Sequence, residues 1–316
     1  MENHRYLPGV LTVGIIALMI FTSELLGERE IIFPEIAAIA VGMLLAPRRP
    51  WQTSRWRVLV LISLSAVVGL AASVLLPLPL WEKMSVAFLL AQVLLIFGGT
   101  SFAPLISAAV LPVMLGAESV VYLIAAVSLT ALILLVSFAL ERLALRAPEP
   151  YRPVHPPEGR AWGRVFLRCA LGVLCIAAAV SLYARYMVAP PMLVAFTEFM
   201  NPSSRAKEQP FRAILLIALC AAAGAVSRLA LTSALGLPLT VSAIAASLIL
   251  LWLLRRFELL LPPAAALTVL AMLIPEGDLL VYPAEILVGV GALMGLAKLT
   301  DALAQIRIHS GAHSHS

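Results

Sequence analysis

One short apolar stretch, PPMLVAFTEFMNP (190–202), holds Thr197, Glu198 and Asn201. A carboxylate set in an apolar segment can exchange a proton, so Glu198 is a candidate coupling group. Exposure at the inner end of the segment is the competing reading. Arg228 lies near the end of another apolar segment. Facing a cavity, it would be the best anion-attracting group in the chain; otherwise its stem snorkels to the outer interface. Gln92 suits a hydrogen bond between helices or the lining of a pathway. Lys298 and Asp301 stand three apart on one helix face and suit a local ion pair. Glu285, just after Pro283, reads as solvated.

Two proline-marked stretches complete the candidate substrate-binding set. TSFAPLISAAVLPVMLG (100–116) carries Thr100, Ser101, Pro104 and Ser107. FELLLPPAAALTVLAMLIPEGD (257–278) carries Glu258, Pro262 and Pro263. A proline inside a helix frees a carbonyl, and the N-terminus of a half-helix attracts anions. The two stretches are expected to face each other across an ion site. The alternative is that each proline only starts a helix.

No nucleophile triad, metal-ligand cluster, phosphate loop or dinucleotide fingerprint occurs, so no enzyme and no cofactor are expected. Cys169, Cys175 and Cys220 lack a CxxC spacing and read as small buried hydrophobes. His309, His313 and His315 sit in a polar tail, which reads as disordered rather than metal-binding.

The elements that position these residues are apolar and long. Hydrophobic residues make up 62% of the 316-residue chain and charged residues 12%, with a mean hydropathy of +1.01. Soluble domains carry about 25% charged residues. An all-α polytopic membrane protein follows, since the apolar runs are continuous rather than alternating. Twelve segments are expected, near 8–26, 31–46, 58–76, 83–98, 102–116, 119–141, 165–184, 187–201, 213–235, 239–254, 258–274 and 280–299. Segments 2, 4, 5, 8, 10 and 11 are at or below the length of a full span, about 20 residues, and read as tilted, unwound or re-entrant.

With both termini cytoplasmic, 17 of the 22 Lys and Arg fall in inner loops, as the positive-inside rule requires of an inner-membrane protein. The net charge of +5 is thereby explained without a nucleic-acid partner. Membrane lipid and a small molecule or ion are the expected partners. Homo-oligomerisation is left open.

The chain also divides in two. Pro47 aligns with Pro202, Arg57 with Arg212 and Gly69 with Gly224 at a shared offset of 155. Pro104 aligns with Pro262 and Met114 with Met272 at an offset of 158. The reading is a first membrane repeat (1–141), a cytoplasmic linker (142–163), a second repeat (164–301) and the tail (302–316). Six segments per half make the repeats parallel, a known transporter arrangement.

The frame LPPAAALTVLAML (261–273) resembles the HPP family of integral membrane proteins, with Leu261 where the family has histidine. APLISAAVLPVML (103–115) fits the same frame with Ala103 there, and the loop PSSRAKEQPFR (202–212) is similar to the family's polar loop. The literal His155-Pro156-Pro157 sits in the linker and is not the family motif. The halves are more weakly similar to fusaric-acid-resistance and aromatic-acid exporters. The resemblance implies a secondary transporter or channel-like exporter of a small anion, nitrite-like or a small organic acid. A non-transporting membrane scaffold or assembly subunit is the alternative.

Overall fold

The structure is a computed structural model describing residues 6–159, 161–201 and 204–313, with side chains described to residue 303. Among the described residues it is helical, without a strand. Eight helices are long and apolar enough to cross a bilayer. They are α1 (Leu7–Leu26), α3 (Arg55–Leu75), α4 (Leu80–Phe97), α6 (Val121–Arg142), α7 (Ala161–Ser181), α9 (Pro210–Ser227), α10 (Leu239–Phe257) and α12 (Tyr282–His313). A π-helical stretch, Arg228–Ala234, prolongs α9. Large apolar side chains such as Leu18, Val67, Leu135, Leu174 and Leu248 are exposed on these helices. That is the surface a helix presents to lipid.

Four short helices alternate with the long ones. They are α2 (Glu35–Ala40), prolonged by a π turn (Val41–Leu45), α5 (Pro104–Leu115), α8 (Pro190–Phe199) and α11 (Pro262–Leu270). The longest, α5, has 12 residues, or about 18 Å at 1.5 Å per residue, against about 30 Å of hydrocarbon. Apart from Glu35 in α2 and Thr197 and Glu198 in α8 they are almost wholly apolar, and nearly every residue in them is buried. Such helices belong in the interior rather than against lipid.

The short reading of segments 4 and 10 is corrected. The first helix starts at Leu80, behind Pro79 and with Glu82 in its first turn, so its polar start belongs to the helix. The second continues through Arg255 and Arg256, cations that suit a helix C-terminus. Of the two readings of the prolines, the helix start fits Pro104 and Pro262, while Pro112 lies inside α5. Pro104, Pro190 and Pro262 each open their helix, where the missing N–H removes nothing. Helix α12 is helical as far as His313. The side chains of the tail histidines lie outside the described residues.

The packing occurs in matched pairs. Helix α3 packs on α5 as α9 packs on α11, and α3 on α6 as α9 on α12. Across the halves, α4 packs on α7 as α10 packs on α1, and α5 on α8 as α11 on α2. Helices α5 and α11 form no extensive contact with each other, so the two proline-marked stretches do not meet as expected. Each lies against the short helix of the other half. Gly69 and Gly224 permit the tightest of these approaches. A Cβ on Gly69 would sit 2.2 Å from the Ala109 carbonyl oxygen, and one on Gly224 2.2 Å from that of Thr268. Tyr122 donates to the Ala108 carbonyl at 2.8 Å, and Tyr282 to that of Leu267 at 2.7 Å.

Polar contacts gather at two ends. At the linker end, Arg57 donates to Gly98 O, Arg212 to Phe257 O, and Lys207 pairs with Asp301 at 2.5 Å. At the far end, Glu30 accepts from the backbone of Glu118 and Ser119, Arg185 pairs with Asp278, and Glu24 accepts from Leu239 and Thr240.

Candidate functional site

A cavity of about 400 Å³ opens at the linker end, between the halves. The end of α4 and residues 100–103 form one wall, α7 and the end of α8 another, and the linker covers part of it. Arg164 and Arg168 line it from α7. Four residues apart, they lie on one helix face. Arg164 is exposed; Arg168 is half-buried, and its Nε is buried with no hydrogen-bond partner.

Glu198 lines the same cavity and is oriented from behind. Trp51 Nε1 donates to its Oε1 at 3.0 Å, and the indole packs edge-on to Phe102 with ring centres 5.0 Å apart. Trp51 fits because Gly42 has no side chain: a Cβ there would meet the indole at 2.3 Å. One turn deeper, Gln92 of α4 donates to Thr197 Oγ1 at 3.0 Å. Gln92 therefore does join helices, while its buried Oε1 is left without a donor.

The linker is held down residue by residue. Arg146 donates to the carbonyls of Leu44 and Ala46 at 2.9 and 2.8 Å. Glu149 accepts from the Arg49 backbone at 3.0 Å. The Tyr151 hydroxyl and the Val154 N–H both donate to Gly99 O, at 2.6 and 3.1 Å. His155 and Pro157 are thereby set in the cavity wall. The tripeptide excluded as a family motif is part of the site for another reason: where the linker docks.

Of the expected site residues, Thr100, Ser101, Glu198 and Asn201 share this cavity. Thr100 and Ser101 also fix the loop, each bonding the Gln52 backbone. Pro104, Ser107, Pro262 and Pro263 are buried in helix starts outside it. Glu258 is exposed at the C-terminus of α10, in the left-handed conformation. Arg228 is at the far end, where its Nη1 donates to the carbonyls of Ala271 and Ile274 at 2.8 and 2.6 Å. It closes the end of α11 and does not snorkel freely. Lys298 is exposed, and the partner of Asp301 is Lys207. Glu285 accepts from the Tyr186 N–H at 2.9 Å and holds the 3-10 turn Arg185–Val188. The residues sequence reasoning missed are Arg164, Arg168 and His155. The first two read as ordinary inner-loop cations, although their spacing of four was visible.

Among the described residues, no three His, Cys, Asp or Glu side chains form a metal-binding group. No protein-family model, no curated protein and no solved structure matches the chain.

Proposed function

We propose that this chain is a secondary transporter or channel-like exporter of a small anion, and that the linker-end cavity is where the anion binds. One observation carries the reading: half-buried Arg168 lines the cavity with its buried Nε left without a hydrogen-bond partner, and Arg164 stands one turn away. A buried N–H left without an acceptor is costly. A bound carboxylate or nitrite would compensate it through charge-assisted, bidentate hydrogen bonds. Ser101, whose hydroxyl accepts from Gln52 N–H and keeps its own proton to donate, supplies a neutral hydrogen-bonding group in the same wall.

The reading includes a duplicated fold. The matched helix pairs, the paired glycines and the paired tyrosines support two six-helix repeats about an axis along the membrane normal. The sorting of polar contacts onto two ends supports twelve helical passes with both termini, and the arginine-rich linker, on the cytoplasmic side of an inner membrane. Kinship with the HPP family belongs to the same proposal; in both halves the resembling frame opens a short buried helix, α5 or α11. The alternative, a scaffold or assembly subunit without transport, is favoured by the apolar packing of the four short helices.

Flux decides between them. Proteoliposomes containing the full chain are loaded with nitrite, nitrate or benzoate. Efflux above that of empty liposomes for at least one of them, reduced tenfold or more by Arg168→Ala, is the expected result. No flux of any of the three, or an unchanged rate in Arg168→Ala, overturns the anion reading.

A further inference from the structure

Glu35 is the sole carboxylate among the described residues that is completely buried, with 1% of its surface exposed. It opens α2, following Pro34, at the junction of the two halves: α2 packs on α5 and α6 of its own half and on α11 of the other. Its Oε1 accepts from the Ser107 hydroxyl, and its Oε2 is buried with no partner at all. Among the described residues no Lys, Arg or His stands within ion-pair distance.

The surroundings offer nothing to neutralise a charge there. Helices α5 and α11 carry no ionisable side chain. From α6 comes Tyr122, whose hydroxyl is committed to the Ala108 carbonyl. On α1 the single ionisable group, Glu24, is bonded to Leu239 and Thr240. On the 3-10 turn before α2, Arg29 donates to the Leu273 carbonyl and Glu30 accepts from Glu118 and Ser119. Lone buried carboxylates of this kind are stable when they carry a proton. Ser107 has its hydroxyl turned to the carboxyl as donor, leaving Oε2 to hold that proton.

A second cavity, at the far end, approaches the group without reaching it. Of about 250 Å³, it is lined by Ile32, Arg29 and Tyr122. Ile32 lies three residues before Glu35, and Tyr122 sits beside its carboxyl. The anion cavity opens at the opposite end. At the offsets of 155 and 158 the counterpart of Glu35 is Pro190 and that of Ser107 is Ala265, so this polar pair occurs once.

We propose that Glu35 is a proton-binding site, approached from the far-end cavity, whose protonation and deprotonation couple anion movement to a proton gradient. The idea rests on the transport reading and names its coupling ion. It places coupling on Glu35 and Ser107, with Glu198 left to orient the anion cavity.

Two measurements test it. Infrared difference spectra of the purified full chain are recorded for wild type against Glu35→Gln, and for Ser107→Ala. Loss of a protonated-carboxyl C=O band in Glu35→Gln, and a shift of that band in Ser107→Ala, are expected at neutral pH. If no such band is lost, Glu35 is ionised and the inference is overturned. In proteoliposomes, nitrite or benzoate accumulation driven by a pH gradient is expected to fall at least tenfold in Glu35→Gln, while exchange of labelled for unlabelled anion stays within about threefold. Wild-type flux with gradient-driven accumulation intact in Glu35→Gln sinks the coupling role and leaves the transport reading standing. Dependence on sodium instead of protons does the same. No wild-type flux of any anion removes both.

Discussion

Asp278 shows how single side chains hold the far end. Its Oδ2 accepts from the Tyr186 hydroxyl at 2.6 Å and from the Arg185 guanidinium at 3.0 Å. The Tyr186 hydrogen bond, helped by Arg185 against a smaller desolvation cost, holds the Asp278 carboxyl below the usual range. A carboxylate whose folded value is depressed adds stability above its unfolded value, near 4, and loses it as pH falls through the folded value. Asp278→Asn should therefore lower the thermal midpoint in detergent at neutral pH, with the difference from wild type shrinking below about pH 4. An equal difference at pH 7 and pH 3.5 would remove Asp278 as the titrating group. Some residue roles were open to sequence reading and others were not. Glu198 stood out because its segment is otherwise apolar. Glu35 did not, although it falls inside the second apolar segment (31–46), because it stands near the start of that segment, close behind Glu28, Arg29 and Glu30. Its burial depends on α5, some seventy residues further on, docking over it.

Helix lengths were readable because spanning segments must be long, apolar and continuous. The role of the short ones was not, because a run of ten apolar residues is equally consistent with an interfacial, re-entrant or interior helix. Tertiary packing decides it, and two glycines set how close that packing is. Adding a methyl at Gly69 or Gly224 would push it into a backbone carbonyl oxygen, which has no flexible end to swing aside. Overpacking of this kind costs about 1–3 kcal/mol. Gly69→Ala and Gly224→Ala should each lower the thermal midpoint, and the double variant further. Gly14→Ala is the control, since a Cβ there meets nothing within 4 Å. It should be neutral or slightly stabilising, alanine being the better helix former by about 1 kcal/mol. If Gly69→Ala and Gly224→Ala behave like the control, α3 on α5 and α9 on α11 are not packed this closely.

At the scale of the molecule, the question is whether four helices too short to span alone still carry the chain across. Polar contacts from neighbouring elements flank them, such as Trp51 on Glu198 and Arg228 on the carbonyls of Ala271 and Ile274, so the long helices around them can bridge the missing length. Helix α8 is the sharpest case. Before it, Tyr183 is 94% exposed at the far end, beside Arg185; after it, Glu208 is exposed at the linker end, beside Lys207. Twelve passes with cytoplasmic termini put these residues on opposite sides of the membrane. Single cysteines can report this in a background carrying Cys169→Ala, Cys175→Ala and Cys220→Ala. In intact cells a membrane-impermeant maleimide should label Tyr183→Cys, Glu118→Cys and Gly277→Cys. It should reach Glu208→Cys and Glu158→Cys only after permeabilisation. Labelling of Tyr183→Cys and Glu208→Cys from the same side would make α8 re-entrant. The linker-end cavity would then no longer lie at an end shared by the linker and by the exit of α8, and the proposed parallel arrangement of the two halves would fall with it.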